Sequence, residues 1–185
     1  MASYVFNYDD EKVRVPPPES PIQRVEKRQW QYATHDPIAC ADLATALGRS
    51  CRRGRTITYA ELARGVTFRL PSINEGRPYI IDIQNQSRIS SRDQNILDDF
   101  LCFLSLQSVK GASILASANV IDPFDKKGAS NGFFETARLL GYHQADDACL
   151  AGRQYASEAE MRNIMFWNKE LKKVYAWFAA HPVQS

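Results

Sequence analysis

The residues best suited to chemistry form a short basic cluster in which four arginines fall within seven positions. Guanidinium groups bind phosphate oxygens through charge and paired hydrogen bonds, so this cluster favours contact with a nucleic-acid backbone. An arginine cluster is also typical of a solvated turn at a helix end, and the sequence leaves both interpretations open. Two lysines in a later polar turn would extend the same surface. The candidate nucleic-acid-binding residues are Arg49, Arg52, Arg53, Arg55, Thr58, Tyr59, Lys126 and Lys127.

A second set of residues has the composition of a metal-dependent nuclease site, which needs carboxylates around a divalent cation and often a nearby lysine. Nothing in the spacing of these residues requires such a site, and turn residues with a surface acid are the favoured explanation. The residues are Asp82, Asp122, Asp125, Lys126 and Glu135.

Other catalytic and cofactor motifs are missing from the sequence. The histidines His35, His143 and His181 lack metal-ligand spacing, and the four cysteines include no Cys-x-x-Cys pair. There is no Gly-x-Ser-x-Gly elbow and no Gly-rich phosphate loop. The sequence therefore predicts no catalytic residue, no metal site and no cofactor, and it favours a protein that is not an enzyme.

Aromatic residues near the C-terminus form a third candidate site. Trp167, Tyr175 and Trp177 exceed what one apolar helix stripe requires, and such residues concentrate at protein interfaces. A wide core-facing surface is the alternative explanation. A protein partner or self-association is therefore considered beside duplex DNA.

The composition limits the class of protein. The chain has 185 residues, of which 44% are hydrophobic and 24% charged, with a formal net charge of +2. These values predict one globular domain and neither require nor exclude nucleic acid. The sequence shows neither an N-terminal apolar run of signal-peptide type nor a membrane-length apolar stretch. A cytoplasmic location with no membrane partner is predicted.

The elements that must position these residues follow from apolar periodicity and capping. Residues 1–35 are predicted to form an N-terminal arm, with a small hairpin around an acidic turn, and residues 36–185 to form one domain. Asp36 and Pro37 indicate a helix start, and Gly54 indicates its end. Thr58 and Glu61 fit a capping box for a second, short helix.

Later segments alternate between strand and helix patterns. A strand is predicted at Pro78–Ile83, followed by a helix that Ser91 and Gln94 cap and that ends at Gly111. Residues 112–121 and 131–134 are predicted to pair as a hairpin. Ser157 and Glu160 then indicate the start of an amphipathic C-terminal helix.

The segment from Leu43 to Ala63, with its Thr-Tyr-x-Glu-Leu-Ala motif at Thr58–Ala63, resembles the DNA-binding domain of alkylguanine-DNA alkyltransferases and alkyltransferase-like proteins. The resemblance covers roughly residues 36–134. It implies an α+β fold with a winged helix-turn-helix-like core, in which the hairpin is the wing. The family's Pro-Cys-His-Arg nucleophile is replaced by Ala-Ser-Ile-Leu-Ala-Ser at 112–117, which excludes alkyl transfer. The third helix also carries Asp93, Asp98 and Asp99, which are poorly suited to phosphates.

Three later features resemble a group of uncharacterised bacterial proteins that share the same Thr-Tyr motif. They are the small-residue run at 114–120, the Gly-Phe-Phe at 132–134 and the Phe166-Trp167 pair. This resemblance implies a mobile or defence-related locus but no activity. The leading prediction is a non-catalytic DNA-binding winged-helix protein. A protein-interaction module, such as an inhibitor or accessory subunit, is the alternative, and a metal-dependent nuclease is the third possibility.

Overall fold

A computed structural model describes residues 19–83, 89–122, 128–143 and 152–181, and these are mostly helical with one small parallel sheet, which is compatible with the α+β class. The predicted hairpin in residues 1–15 lies outside them. In the described part, no helix is both long and apolar enough to cross a bilayer. The helices are α1 (Pro21–Glu26), α2 (Pro37–Arg52), α3 (Tyr59–Ala63), α4 (Ser91–Ala112), α5 (Asn131–Leu139) and α6 (Gly152–Ala180). The strands are β1 (Ile57–Thr58) and β2 (Val120–Ile121), and 3₁₀ turns cover Asn74–Gly76 and Ala116–Asn119.

The helix α2 begins and ends as its sequence predicts. The Asp36 Oδ1 atom accepts a hydrogen bond from the Ala39 N–H at 3.0 Å, and Pro37 occupies the first turn. Gly54 has a φ of +63°, a conformation that glycine adopts without a steric penalty, so the chain can leave the helix after Arg52 and turn towards β1.

The predicted capping box of α3 is confirmed. The Thr58 Oγ1 atom accepts from the Glu61 N–H at 3.2 Å, and Glu61 Oε2 accepts from the Thr58 N–H at 2.9 Å. The backbone hydrogen bond from Thr58 is the largest of the effects that lower the pKa of Glu61. Because both partners are held by this exchange, the orientation of the first turn of α3 is fixed.

The central element of the core is α4, which buries Ile96, Leu97 and Phe100 completely. Its cap differs from the predicted one, because Ser90 rather than Ser91 accepts a hydrogen bond, from the Asp93 N–H at 3.1 Å. The helix also continues past Gly111 and ends where Ser113 adopts a φ of +57°. The helix therefore packs one long face against the core, while Arg92, Asn95 and Lys110 remain exposed.

The predicted hairpin wing is wrong. Ala112 belongs to α4, residues 116–119 form a 3₁₀ turn, and β2 pairs in parallel with β1, with Ile57 opposite Val120. The predicted return strand at 131–134 is instead the first turn of α5. Most residues of the run at 112–121 are buried and therefore apolar or small. A buried irregular segment has the same composition as a buried strand, so the composition does not distinguish the two.

The predicted strand at Pro78–Ile83 is also wrong except at one position. Tyr79 forms an isolated antiparallel bridge with Phe68, through hydrogen bonds of 2.8 Å in both directions. The remaining residues of this segment are irregular. Ile81 is nevertheless buried, which explains why the segment has the composition of a strand.

The C-terminal helix α6 packs on α2 and on the 3₁₀ turn at Ala116–Asn119. It begins at Gly152, earlier than the predicted start at Ser157. Gly48 of α2 allows close approach, because a Cβ there would lie 3.3 Å from the ring of Phe178. Val174 is fully buried, so the amphipathic character predicted for this helix corresponds to a real contact face.

Asp99 of α4 binds the segment that precedes α2. Asp99 accepts hydrogen bonds from the backbone N–H groups of Tyr32 and Ala33 at 2.9 and 3.0 Å, and from Arg28 at 2.8 Å. Val25 of α1 is buried as well. A buried carboxylate with three donors is fully compensated, so residues 28–33 are held firmly against the core.

Candidate nucleic-acid interface and a polar cleft

The four predicted arginines lie together on the surface. Arg49 and Arg52 belong to the last turn of α2, while Arg53 and Arg55 follow in the turn that leads to β1. All four side chains are exposed. The carbonyl end of a helix stabilises positive charge, so this part of the fold can hold several cations close together.

These arginines have few partners that would compete with a ligand. Arg55 forms a weak ion pair with Glu61 at 3.6 Å, and Arg52 lies over the ring of Phe178 at 5.9 Å. Arg49 and Arg53 form no ion pair with any residue that the structure describes. The positive charge of the cluster is therefore largely unneutralised.

The other predicted nucleic-acid-binding residues have different positions. Thr58 is half-buried, and its side chain caps α3. Tyr59 is only 5% exposed, and its hydroxyl donates to Asp98. Lys126 and Lys127 lie outside the described residues. The exposed basic surface that the structure describes therefore consists of the four arginines alone among the predicted residues.

The contact between Tyr59 and Asp98 is part of a polar group where three helices meet. Gly132 of α5 completes it, because a Cβ at that position would lie 2.2 Å from Asp98 Oδ1. The pKa of Asp98 is raised to about 6, mainly by burial. The hydrogen bond from Tyr59 opposes this rise, and the negative charge of Glu135 adds to it. The pKa of the Tyr59 hydroxyl is raised, mainly by burial and then by the neighbouring Asp98 charge.

A cleft of about 190 Å³ opens beside this group. The segment after α1 forms one wall, α4 forms the floor and α5 forms the other wall. Within the cleft Arg28 pairs with Asp99 and also contacts the Cys102 sulfur at 3.7 Å. The cleft is lined by charged, polar and apolar side chains, among them Arg28, Asn95, Asp98, Asp99, Glu135 and Leu139.

Comparison with protein-family models, curated proteins and solved structures finds no match.

The aromatic residues predicted as a protein interface contact the protein's own core. Trp167 is half-buried, and its indole N–H donates to the Ala118 carbonyl at 2.8 Å. Trp177 is half-buried too and stacks on His181 with ring centroids 4.4 Å apart. Tyr175 is likewise half-buried, and burial raises the pKa of its hydroxyl.

The residues considered for a nuclease site are not brought together as far as the structure describes them. Asp82 lies in the irregular segment after Tyr79, Asp122 follows β2, and Glu135 lies on α5. Asp125 and Lys126 fall outside the described residues. In the described part of the chain, no group of three histidine, cysteine, aspartate or glutamate side chains is arranged to hold a metal ion.

The sequence does not predict the cleft, although two residues that support it lie in segments with a recognisable pattern. Tyr59 is in the Thr-Tyr motif and Gly132 is in the Gly-Phe-Phe segment. A glycine at a helix start next to two phenylalanines indicates close packing. Nothing in the sequence indicates that its neighbour is Asp98, since that residue is distant along the chain.

Proposed function

We propose that the protein binds the phosphate backbone of duplex DNA through Arg49, Arg52, Arg53 and Arg55, without catalysis. The observation that carries this proposal is the exposure of all four guanidinium groups, with only Arg55 paired to a carboxylate among the described residues. Each phosphate contact by such a group releases counterions, which is a favourable and sequence-independent contribution to binding.

Binding of this kind is expected to be weakly specific for sequence. Base recognition in the major groove generally uses a helix or a two-stranded ribbon, whereas the four arginines lie at the end of α2 and in the turn that follows it. The predicted wing hairpin is replaced by a 3₁₀ turn and a helix. We therefore propose a protein that recognises the DNA backbone, and the winged helix is not needed for that function.

The experiment is a titration of random duplex DNA with the wild type and the Arg52→Ala/Arg53→Ala double variant at several salt concentrations. The variant is expected to bind more weakly on all sequences, and its slope of log K against log salt should fall by about 1 per lost contact. Folding should be largely unaffected, because exposed arginines at a helix end and in the turn after it contribute little to stability.

The matched control is Arg24→Ala/Arg77→Ala, which removes the same charge from exposed positions outside the cluster. This control should keep the wild-type slope. If both double variants change affinity equally, binding follows net charge and the assignment to the cluster is wrong. Unchanged affinity and slope in the Arg52/Arg53 variant would also eliminate it.

A protein-interaction module is the second function, and we propose it on one observation. Met161 and Met165 lie one turn apart on α6, and their exposed fractions are 58% and 65%. Flexible, apolar methionine side chains suit adaptable protein contacts. A partner retained by the wild type and by the Arg52/Arg53 variant, but lost with Met161→Lys/Met165→Lys, would support this function over DNA binding.

A further inference from the structure

A row of aromatic rings begins at the arginine cluster and runs along the end of α6. The Arg52 guanidinium lies 5.9 Å from the centre of the Phe178 ring. Phe178 packs edge-on against Trp177 with ring centroids 4.9 Å apart, and Trp177 stacks on His181 at 4.4 Å. Each ring therefore contacts the next, and the first ring lies beside one of the arginines that we propose to bind phosphates.

Gly48 holds the cluster and the row of rings together. A Cβ at this position would lie 3.3 Å from the Phe178 ring and 3.5 Å from an Nη atom of Arg52. Both side chains therefore pack at one point of the contact between α2 and α6. The row has a defined position relative to the cluster because two packed helices determine it.

The outer end of the row is fixed before any ligand binds. His181 Nδ1 donates a hydrogen bond to the Trp177 carbonyl oxygen at 2.8 Å, and the two ring planes are inclined by only 16°. His181 is exposed, whereas Trp177 and Phe178 are half-buried. A ring that is already held loses little conformational freedom when another ring stacks on it. The imidazole is therefore a preorganised stacking surface.

The two segments that carry the cluster and the row have a strongly positive balance of charge. Neither residues 43–60 nor residues 171–181 contain any of the chain's 21 aspartates and glutamates, although both contain exposed cations. The acids that flank these segments are bound. Glu61 caps α3, and Glu170 is buried and pairs with Lys173 at 2.6 Å. Such a surface suits a polyanion.

We propose that an unpaired DNA base stacks on the His181 ring and continues the stack of Trp177, while the arginine cluster binds the phosphates of the adjoining duplex. A nucleic-acid strand carries planar rings and phosphates on one chain, so it matches both parts of this surface. The inference rests on the proposed DNA binding by the arginine cluster, and it narrows the partner to DNA in which unpaired bases adjoin a duplex. Stacking tolerates any base, which agrees with weak sequence specificity.

The test compares three DNA molecules by fluorescence anisotropy at one salt concentration. They are an intact duplex, the same duplex with a gap that leaves four thymidines unpaired, and the same gapped duplex with four abasic nucleotides in place of the thymidines. The two gapped molecules have the same phosphates and the same flexible joint, so they differ only in the bases. The thymidine gap is expected to bind about tenfold more tightly than the abasic gap, the effect of one stacked base.

Three variants assign this difference to the row of rings. Trp177→Ala/His181→Ala should abolish the difference and keep the wild-type affinity for the intact duplex. Trp177→Phe/His181→Phe retains two rings and should retain the difference, which separates stacking from hydrogen bonding. His35→Ala is the matched control, because His35 is exposed before the opposite end of α2. It should behave like the wild type.

A measurement on the wild type keeps the proposal falsifiable if the double alanine variant fails to fold. The ring protons of His181 should shift upfield when the thymidine gap binds, because they lie over an aromatic base, and should shift much less with the abasic gap. The ring protons of His35 and His143 are the internal controls. Shifts confined to these two histidines would overturn the proposal.

The failure of this proposal and that of the arginine assignment are distinguishable. If Arg52→Ala/Arg53→Ala weakens binding to the intact duplex but the thymidine and abasic gaps bind equally to the wild type, only the stacking proposal is wrong. Loss of the difference in His35→Ala would also overturn it. If the arginine variant binds the intact duplex like the wild type, the backbone assignment is wrong, and the stacking proposal that rests on it fails as well.

Discussion

The Tyr59 hydroxyl donates a hydrogen bond to the Asp98 carboxylate, and this contact joins the first residue of α3 to the middle of α4. Gly132 brings α5 to the same point, since a Cβ there would lie 3.0 Å from the Tyr59 hydroxyl. One polar contact inside an apolar core therefore connects three helices. It also forms the end of the polar cleft.

Replacing Tyr59 with phenylalanine removes the donor and leaves the partly buried Asp98 carboxylate without it. The free energy of unfolding is expected to fall by about 1–3 kcal/mol, the usual cost of an unsatisfied buried polar group. The pKa of Asp98 should rise further, since the Tyr59 hydrogen bond is the effect that lowers it. Urea denaturation and carboxyl NMR titration measure the two effects.

Tyr142→Phe is the control for this prediction, because Tyr142 is half-buried and packs on the core, and its hydroxyl forms no hydrogen bond with any residue that the structure describes. Its loss of stability should be well below that of Tyr59→Phe. Equal losses would show that removal of any tyrosine hydroxyl has this cost and that the Asp98 contact is not special.

Replacing Gly132 with alanine should destabilise the protein because the new Cβ would lie 2.2 Å from Asp98 Oδ1. Relieving that overlap requires α5 or the carboxylate to move, and overpacking of this kind typically costs about 1–3 kcal/mol. The cost should shrink in an Asp98→Ala background, where the overlapping atom is absent. A double-mutant cycle in urea measures this coupling.

Gly111→Ala is the matched control, because Gly111 lies within α4 and no heavy atom falls within 4 Å of the added Cβ. Alanine favours the helix over glycine, so this variant is expected to gain about 0.5–1 kcal/mol. If Gly132→Ala is as stable as Gly111→Ala, then α5 does not approach Asp98 as closely as described.

Asp98 should also make stability depend on pH. Its pKa in the folded state is about 6, above the ordinary value of 3.8, so the folded state binds more protons than the unfolded state between these values. Stability from this group is therefore greatest at low pH and is lost as the pH rises from about 4 to 6. Above pH 6 the full cost of the buried charge is present.

Asp98→Asn removes this titration while its side-chain oxygen can still accept the Tyr59 hydrogen bond. The stability of the variant relative to the wild type should increase with pH between 4 and 7, by up to about 3 kcal/mol. Urea melts at pH 4.5, 5.5, 6.5 and 7.5 would measure the difference. A constant difference across this range would mean that Asp98 titrates normally and is better solvated than its burial indicates.

The elements that the sequence predicts correctly are those whose ends are determined by local chemistry. Helix ends are set by contacts within a few residues, so they do not depend on distant packing. The examples are the helix cap Asp36, the turn glycine Gly54 and the capping box of Thr58 and Glu61. The arginine cluster is predicted for the same reason. Charged side chains in a short turn have no core to enter and stay exposed.

The wing and the cleft depend on contacts between distant residues, and local pattern cannot determine them. Residues 112–121 have the composition of a strand, but Ser105 and Ser108 of α4 bond the backbone of this segment and favour the 3₁₀ turn. Ser130, whose Oγ accepts from the Phe133 N–H at 3.1 Å, is the one local signal for the start of α5. The pairing of Tyr59 with Asp98 has no local signal at all.

Trp167 and Trp177 lie on the same helix, but only the Trp167 indole forms a hydrogen bond within the described residues. Substitution of the two tryptophans is therefore expected to change stability by different amounts. The Trp167 indole N–H donates to the fully buried Ala118 carbonyl, whereas the Trp177 indole has no recorded hydrogen bond in the described part of the chain. Trp167→Phe should therefore lower the free energy of unfolding by about 1–3 kcal/mol, and Trp177→Phe by less than about 1 kcal/mol. Urea denaturation of both variants at one pH tests this order. If Trp167→Phe is as stable as the wild type while self-association in sedimentation is weakened, Trp167 belongs to an interface and its contact with Ala118 is incidental.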